Sequence, residues 1–353
     1  MAFEKVKEII KEPPPFTQLT DLAAERLGGK VLFATDDFFA EKENLIKPGR
    51  GIFITDKYTD RGKWMDGWES RRKRTPGHDW AIIQLATPGK ITGFDIDTNF
   101  FLGNHPPHAS VEAAYINDGS PIMDLPAGQA GWDKVIWKEI LTKSHLDAGS
   151  QNFYTSNSTD LFTHLRLHIY PDGGVARLKV YGEVFKNWSA VDTNDEIDLV
   201  AAINGGKALA CNDMFFSAMS NLIMPGRGVN MGDGWETKRN RAPGNRDWVI
   251  LKLAHPGIIE RIIVDTCHFK GNYPDTCSIE VCDSNDDNAA IKDKVDPIVI
   301  GWKTILPGQK LNADSEHEYK DEINKHSTAS HVRLNIFPDG GISRLRLFGR
   351  IAG

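Results

Sequence analysis

One block of sequence occurs twice in this chain, and that duplication constrains the fold more than any other feature. GGKVLFATDDFFAEKENLIKPGRG, starting at Gly28, returns as GGKALACNDMFFSAMSNLIMPGRG, starting at Gly205, with 14 of 24 positions identical, where average composition gives roughly one or two by chance. The correspondence continues with Asp66-Gly67-Trp68-Glu69 against Asp233-Gly234-Trp235-Glu236, and with Asp97-Thr98 against Asp265-Thr266. Gly103-Asn104 matches Gly271-Asn272, and HLRLHIYPDGG from His164 matches HVRLNIFPDGG from His331. The chain is a tandem of two homologous domains, and each copy serves as an alignment of the other.

The 353 residues accommodate two domains of about 160 to 170 residues, each able to bury its own core. Residues 1–15 are expected to form an N-terminal arm, 16–187 the first domain and 192–353 the second. Phe3, Val6 and Ile10 space a short amphipathic helix in the arm, stopped by Pro13-Pro14-Pro15. With 40% hydrophobic and 25% charged residues and a formal net charge of −6, the composition is that of an ordinary globular protein. It lacks the basic footprint of a nucleic-acid binder. No apolar run approaches the roughly 20 residues that span a bilayer, and the first residues lack the apolar stretch of a secretion signal. A cytoplasmic location is expected. Cys211, Cys267, Cys277 and Cys282 all fall in the second copy, opposite Ala34, Asn99, Ala109 and Ala114. A disulfide needed by the fold would recur in both copies, so reduced thiols are expected.

The pattern along each copy is mainly that of strands. A short helix is expected first, over Leu19 to Leu27 and over Glu196 to Asn204, stopped by Gly28-Gly29 and Gly205-Gly206. Trp80 to Leu85, a Pro88-Gly89 turn and Ile91 to Phe101 spell strand, turn, strand. Leu165, Leu167 and Ile169 alternate with Arg166, His168 and Tyr170 before Pro-Asp-Gly-Gly, which predicts a hairpin into Val175 to Tyr181. In that hairpin His168 faces Arg177 and Arg166 faces Lys179. Many short strands and few helical patterns predict an all-β chain of two tandem jelly-roll β-sandwiches. The copies differ by one insertion: 14 residues separate Gly51 from Asp66, against four between Gly228 and Asp233. The longer loop brings Lys57, Tyr58, Asp60, Arg61 and Trp64, either as an inert elaboration or as a lid.

Shared charges mark the candidate chemistry, because charges seldom enter a sandwich core unpaired. Asp66 and Glu69 flank the Trp68 indole and precede Arg72, and Asp233, Glu236 and Arg239 repeat the pattern. A carboxyl against an aromatic wall can be tuned into a general acid. Asp97 leads into Gly103-Asn104-His105, and Asp265 into Gly271-Asn272-Tyr273. Arg166, His168, Arg177 and Lys179, with Arg333, Asn335, Arg344 and Arg346, are expected to make a cationic and polar strip suited to an anion, against the commoner explanation of a plain solvated face. Structural ion pairs are the competing explanation for this acid and arginine content. His105 and His108 have the look of a metal pair, but Tyr273 and Thr276 replace them, and no multi-ligand zinc spacing is present.

These motifs resemble the allantoicase family: DGWE followed by arginines, DTxxFxGNxP, and HxRLxxYPDGGxxR (with Phe337 for the tyrosine in the second half), in both halves and over nearly the whole chain after Pro15. The resemblance implies two tandem jelly rolls and hydrolysis of allantoate to ureidoglycolate and urea in purine degradation. It further suggests a homo-oligomer. No cofactor is required by the residues, and a divalent metal is not excluded. Arginine suits the substrate carboxylate, and release of urea needs an acid for the leaving nitrogen and a base for water, as in glycoside cleavage. The resulting assignment places Asp97 as base, Glu69 or His105 as acid with Asp66 beside them, and Arg72 or Arg166 as carboxylate anchor. Trp68, Asn104 and Arg177 complete the binding set. The second-copy counterparts are Asp265, Glu236, Asp233, Arg239, Arg333, Asn272 and Arg344, and one active copy, two equivalent sites and a shared site all remain open. A non-catalytic carbohydrate-binding tandem is the alternative function.

Overall fold

The computed structural model describes residues 12–117, 129–292 and 301–352, so the helix expected from Phe3, Val6 and Ile10 lies outside the described residues. The chain divides into two compact units, Met1–Phe185 and Lys186–Gly353. Each is built almost wholly of β-strands, and the only α-helices among the described residues are Gln129–Trp132 and Asp287–Lys292.

One long strand organises each unit. In the first, Asp79–Asp97 runs unbroken through Pro88-Gly89, where a turn was expected. Its first half pairs with Leu161–Tyr170 and Lys30–Ala34, and its second half with Arg177–Val184 and Phe153–Thr155. A register shift separates the Gly89 and Gln84 pairings. Proline is tolerated there because it needs no ladder donor at an irregularity. The strand therefore belongs to both layers of a sandwich. Leu165, Leu167 and Ile169 from one layer and Leu178 and Val180 from the other meet Ile83, Phe94 and Ile96 in one buried cluster. Burying each such side chain contributes about 1.5 to 3 kcal/mol. In the second unit Asp247–Asp265 does the same, pairing with Ala329–Phe337, Lys207–Cys211, Arg344–Ile351 and Glu316–Tyr319.

Two further local expectations are corrected. The opening helices shrink to single 3-10 turns, Glu25–Leu27 and Ala202–Asn204. Thr20–Asp21 is instead a strand on Tyr181-Gly182, and the Asp21 carboxylate accepts the N–H groups of Ala23 and Val180. That side chain offers the backbone an alternative to helical bonds. The glycine stop is as expected, with Gly28 at φ 113° and Gly205 at φ 108°.

The second correction concerns Pro-Asp-Gly-Gly, which does not close a hairpin. The Leu161–Tyr170 and Arg177–Val184 strands both pair with the long strand and not with each other. The turn crosses between layers, so that Gly174–Val175 pairs with Trp68–Glu69. His168 thus lies opposite Trp80 and Ser110, not Arg177, and Arg166 lies opposite Ile82 and Glu112, not Lys179. Alternating apolar residues are compatible with either partner, and the sandwich satisfies both faces.

Candidate active site

The crossing turn assembles the most suggestive polar group. Gly174 N–H donates to Asn104 O at 2.8 Å, and Ser70 N–H to Gly173 O at 3.1 Å, so the turn ties the Asn104 loop to the Trp68–Glu69 strand. Gly173 sits at φ 134°, and a Cβ there would lie 2.5 Å from Asn104 O. Only glycine fits. Across this junction Asn104 Nδ2 donates to Glu69 Oε1 at 2.7 Å. The second unit repeats it, with Asn272 Nδ2 donating to Glu236 Oε1 at 2.5 Å and Gly341 N–H to Asn272 O at 2.8 Å. Burial raises the Glu69 carboxyl above the usual carboxylate range, against the hydrogen bond from Asn104.

The other candidates separate into framework and surface. Trp68 is 0% exposed and its Nε1–H donates to Asp36 O at 2.8 Å. Trp235 does the same to Asp213 O at 2.8 Å. Both indoles are core, which corrects the expectation that Trp68 touches substrate. Asp97 is 1% exposed. It receives Arg50 Nε at 2.8 Å and Nη2 at 3.1 Å, and Asn99 N–H at 2.9 Å. Asp265 receives Arg227 Nε and Nη2, both at 3.0 Å, and Cys267 N–H at 2.9 Å. With both oxygens engaged, these carboxylates hold an arginine rather than stand free as bases. Asp66 Oδ2 accepts Arg177 Nη2 at 2.8 Å and Ile52 N–H at 2.9 Å, matched by Asp233 with Arg344 Nη2 at 2.9 Å and Val229 N–H at 3.0 Å. Arg177 lies opposite Asp97 in the ladder, which sets the two ion pairs side by side.

Arg166 belongs elsewhere, on the face of the sheet. Its Nε donates to Glu112 Oε2 at 2.7 Å, and His168 Nε2 meets the same oxygen at 2.7 Å. His78 Nε2 approaches His168 Nδ1 at 2.8 Å. Burial lowers the pKa of both His78 and His168. In the second unit Arg333 Nε and Asn335 Nδ2 both reach Glu280 Oε2 at 2.8 Å. The shared partners Glu112 and Glu280 were not among the sequence candidates, although the ungapped match that aligns Gly103 with Gly271 also aligns them. Arg72 and Arg239 are exposed. His105 Nδ1 is buried without a hydrogen-bond partner. His108 stacks edge-on against His145 at 5.5 Å, and among the described residues no group of three or more His, Cys, Asp or Glu side chains is placed to hold a metal ion. The four cysteines are free thiols.

Comparison with known proteins converges on one family. The allantoicase repeat matches residues 20–185 and again 197–352. A probable allantoicase of Pseudomonas fluorescens strain Pf0-1 is 50% identical over 342 residues, covering 96% of this chain and 98% of the relative. A probable allantoicase of Photobacterium profundum is 50% identical over 334 residues, covering 95% and 97%. Among solved structures, the crystal structure of allantoicase from Saccharomyces cerevisiae is similar with a TM-score of 0.77 at 36% identity, covering 94% of this chain and 92% of that one. With both repeats matched and relatives at half identity along almost its whole length, this chain belongs to the allantoicase family.

Proposed function

We propose that the chain hydrolyses allantoate to ureidoglycolate and urea, with proton transfer at the Glu69–Asn104 junction of the first unit. Family membership supports the reaction, and the Glu69 carboxyl, raised by burial and held by Asn104, supports the place. In the reaction one C–N bond to carbon breaks and its nitrogen leaves as urea. That nitrogen is a poor leaving group until protonated, and a carboxyl whose pKa is raised by burial is better suited to supply a proton than an exposed one. Water then forms the C–O bond and loses a proton. His105, adjacent to Asn104 and with Nδ1 buried and unpartnered, is assigned as acceptor in place of Asp97. Asp97–Arg50 and Asp66–Arg177 act as structural pairs of the same unit, and Arg72 is an exposed cation three residues beyond Glu69 in the chain. The second unit has Tyr273 where the first has His105, so the same proton inventory is not repeated.

The chain is further assigned to the cytoplasm, in keeping with its four free thiols. Among the described residues no helix is long and apolar enough to cross a membrane. Self-association belongs to the same reading. It is supported by an exposed apolar group in the second unit, with Phe215 70%, Phe216 61% and Val229 76% exposed. The direct test is purified protein supplied with allantoate, followed for urea and ureidoglycolate together. Stoichiometric release of both is expected, and folded protein that releases neither removes the proposal.

A further inference from the structure

The first unit carries a cavity that the insertion creates. The inserted loop is folded. Tyr58–Thr59 pairs with Gly62–Lys63, Trp64 N–H donates to Lys57 O at 3.2 Å, and Arg61 Nη1 donates to Phe38 O at 3.0 Å. Between this small hairpin and the Phe38–Ala40 segment lies a cavity of about 430 Å³, with Lys47, Lys57, Arg61, Asp60 and Trp64 among its walls.

Lys47, Lys57 and Arg61 share this space with the carboxylates Glu41, Asp60 and Asp66, and Lys47 also interacts with Glu43, but among the described residues neither Lys57 nor Arg61 is held by a carboxylate. Lys57 Nζ lies 3.7 Å from the centre of the Trp64 ring, Arg61 packs its guanidinium 5.1 Å from the Phe38 ring, and Lys47 donates to Asn44 Oδ1 at 2.6 Å. Aromatic faces and neutral oxygens hold these groups in place while leaving N–H donors for a ligand. The duplicated copy shows that the arrangement is not part of the shared framework. Lys47 is replaced by Met224, and Lys57 and Arg61 have no counterparts in the four-residue loop Val229 to Gly232. The rest of the corresponding loop end in the second unit is apolar, with Met214, Phe215, Phe216 and Met231 exposed. The cavity also adjoins the Glu69 strand. Ala40 and Asp66 line it, and Glu69 N–H donates to Ala40 O at 3.0 Å while Ala40 N–H donates to Glu69 O at 3.3 Å.

We infer that this cavity is the carboxylate-binding subsite for allantoate, with Arg61 and Lys57 as the principal donors and Lys47 adding charge, so that only the first unit binds substrate productively. The inference rests on the proposed hydrolysis and adds to it the residues that recognise the anion. Arginine offers paired donors in the plane a carboxylate needs. The Trp64 and Phe38 rings wall one side of the cavity. Asp60 supplies an acceptor for ureido N–H groups in the same cavity.

The test uses the full chain with Arg61→Ala and Lys57→Gln. Both side chains are exposed, so the fold is retained, and circular dichroism checks this. Allantoate binding is measured by calorimetry and turnover by urea release. Each substitution is expected to weaken binding and raise KM about tenfold or more, the worth of a hydrogen bond to a charged group, with kcat within about threefold. A neutral carboxamide analogue of allantoate should bind the wild type and both variants alike. Unchanged affinity for allantoate in both variants overturns the subsite, as does a fall in kcat with KM unchanged, or equal weakening of the neutral analogue. Failure of the wild type to release urea would count against the hydrolysis itself. In that case the calorimetric comparison still decides whether Arg61 and Lys57 recognise the carboxylate.

Discussion

Asn104 reaches across from its loop to donate to Glu69 at 2.7 Å, and Asn272 does the same to Glu236 at 2.5 Å. Neither asparagine is needed for the turn that contains it, because Gly174 and Gly341 already bond to the asparagine backbone oxygens at 2.8 Å. The amide side chains therefore serve to orient a carboxyl. In each unit this glutamate is held by a neutral amide donor and not by arginine. Asp66, Asp97 and their counterparts all carry a guanidinium partner.

Glu69→Gln is expected to lower kcat about 10² to 10⁴-fold, the usual worth of a positioned proton donor, while leaving the melting temperature near that of the wild type. Glu236→Gln should cost much less, since Tyr273 stands in place of His105 and the cationic cavity is confined to the first unit. Steady-state urea release from both variants makes the comparison. Equal losses would point to two working sites and sink the one-unit assignment.

The pH profile carries a sign. Burial raises Glu69, and the Asn104 hydrogen bond pulls it partly back by favouring the ionised form. A proton donor works only while protonated, so kcat should fall on the alkaline side as pH rises through this raised value. Removing the amide in Asn104→Ala removes the lowering influence, and the alkaline limb should move to higher pH. A limb that stays in place or moves down would show that Glu69 is not the group being titrated.

Asp97→Asn and Asp265→Asn should behave as stability variants. Each leaves a guanidinium without its carboxylate, but because Arg50 is 31% and Arg227 55% exposed, solvent reduces the loss to about 1 to 2 kcal/mol. Similar losses in denaturant midpoint are expected from the two, because the geometry is duplicated. An Asp97→Asn protein that melts like the wild type but has lost turnover would restore Asp97 to the proton-transfer role.

Much of this was legible because the sequence contains its own alignment. The duplicated Leu, Ile and Phe positions became core, and Gly173 and Gly340 sit where a side chain would collide with the asparagine loop. What escaped was pairing between distant segments. HLRLHIYPDGG alternates correctly, yet alternation fixes which face is buried and not which strand lies alongside. The long Asp79–Asp97 strand came between the two arms of the expected hairpin. For the same reason Asp97 looked like an available acid, since nothing local shows that Arg50 folds back onto it. Trp68 beside Glu69 suggested an aromatic wall, but alternation along a strand sends those two side chains to opposite sides.

Self-association is expected to depend on the second unit's exposed apolar loops. Phe215 and Phe216 pack edge-on at 4.9 Å with both rings largely in solvent. Phe215→Ser with Phe216→Ser should shift light-scattering mass toward the 39.3 kDa of a single chain without altering the core. Unchanged mass in the double variant would place the contact elsewhere.

Asp95 provides a stability test independent of catalysis. It is 0% exposed, its Oδ2 accepts Gln151 Nε2 at 2.6 Å, and burial, with Asp97 nearby, pushes its pKa up from 3.8 to about 7. The unfolded chain ionises this group near the ordinary value, so the folded state is not penalised below that pH. Stability is then lost progressively as pH rises toward 7 and levels off above it. A shift of about three units corresponds to about 4 kcal/mol at most. The second unit has Ile263 at the matching position, so the fold does not need a carboxyl there. Asp95→Asn keeps an acceptor for Gln151 and removes the titration. Its melting temperature should exceed the wild type's at pH 8 by several degrees, at about 2 to 4 °C per kcal/mol, and the gap should close by pH 4. A constant difference across that range would mean that Asp95 stays ionised in the folded protein.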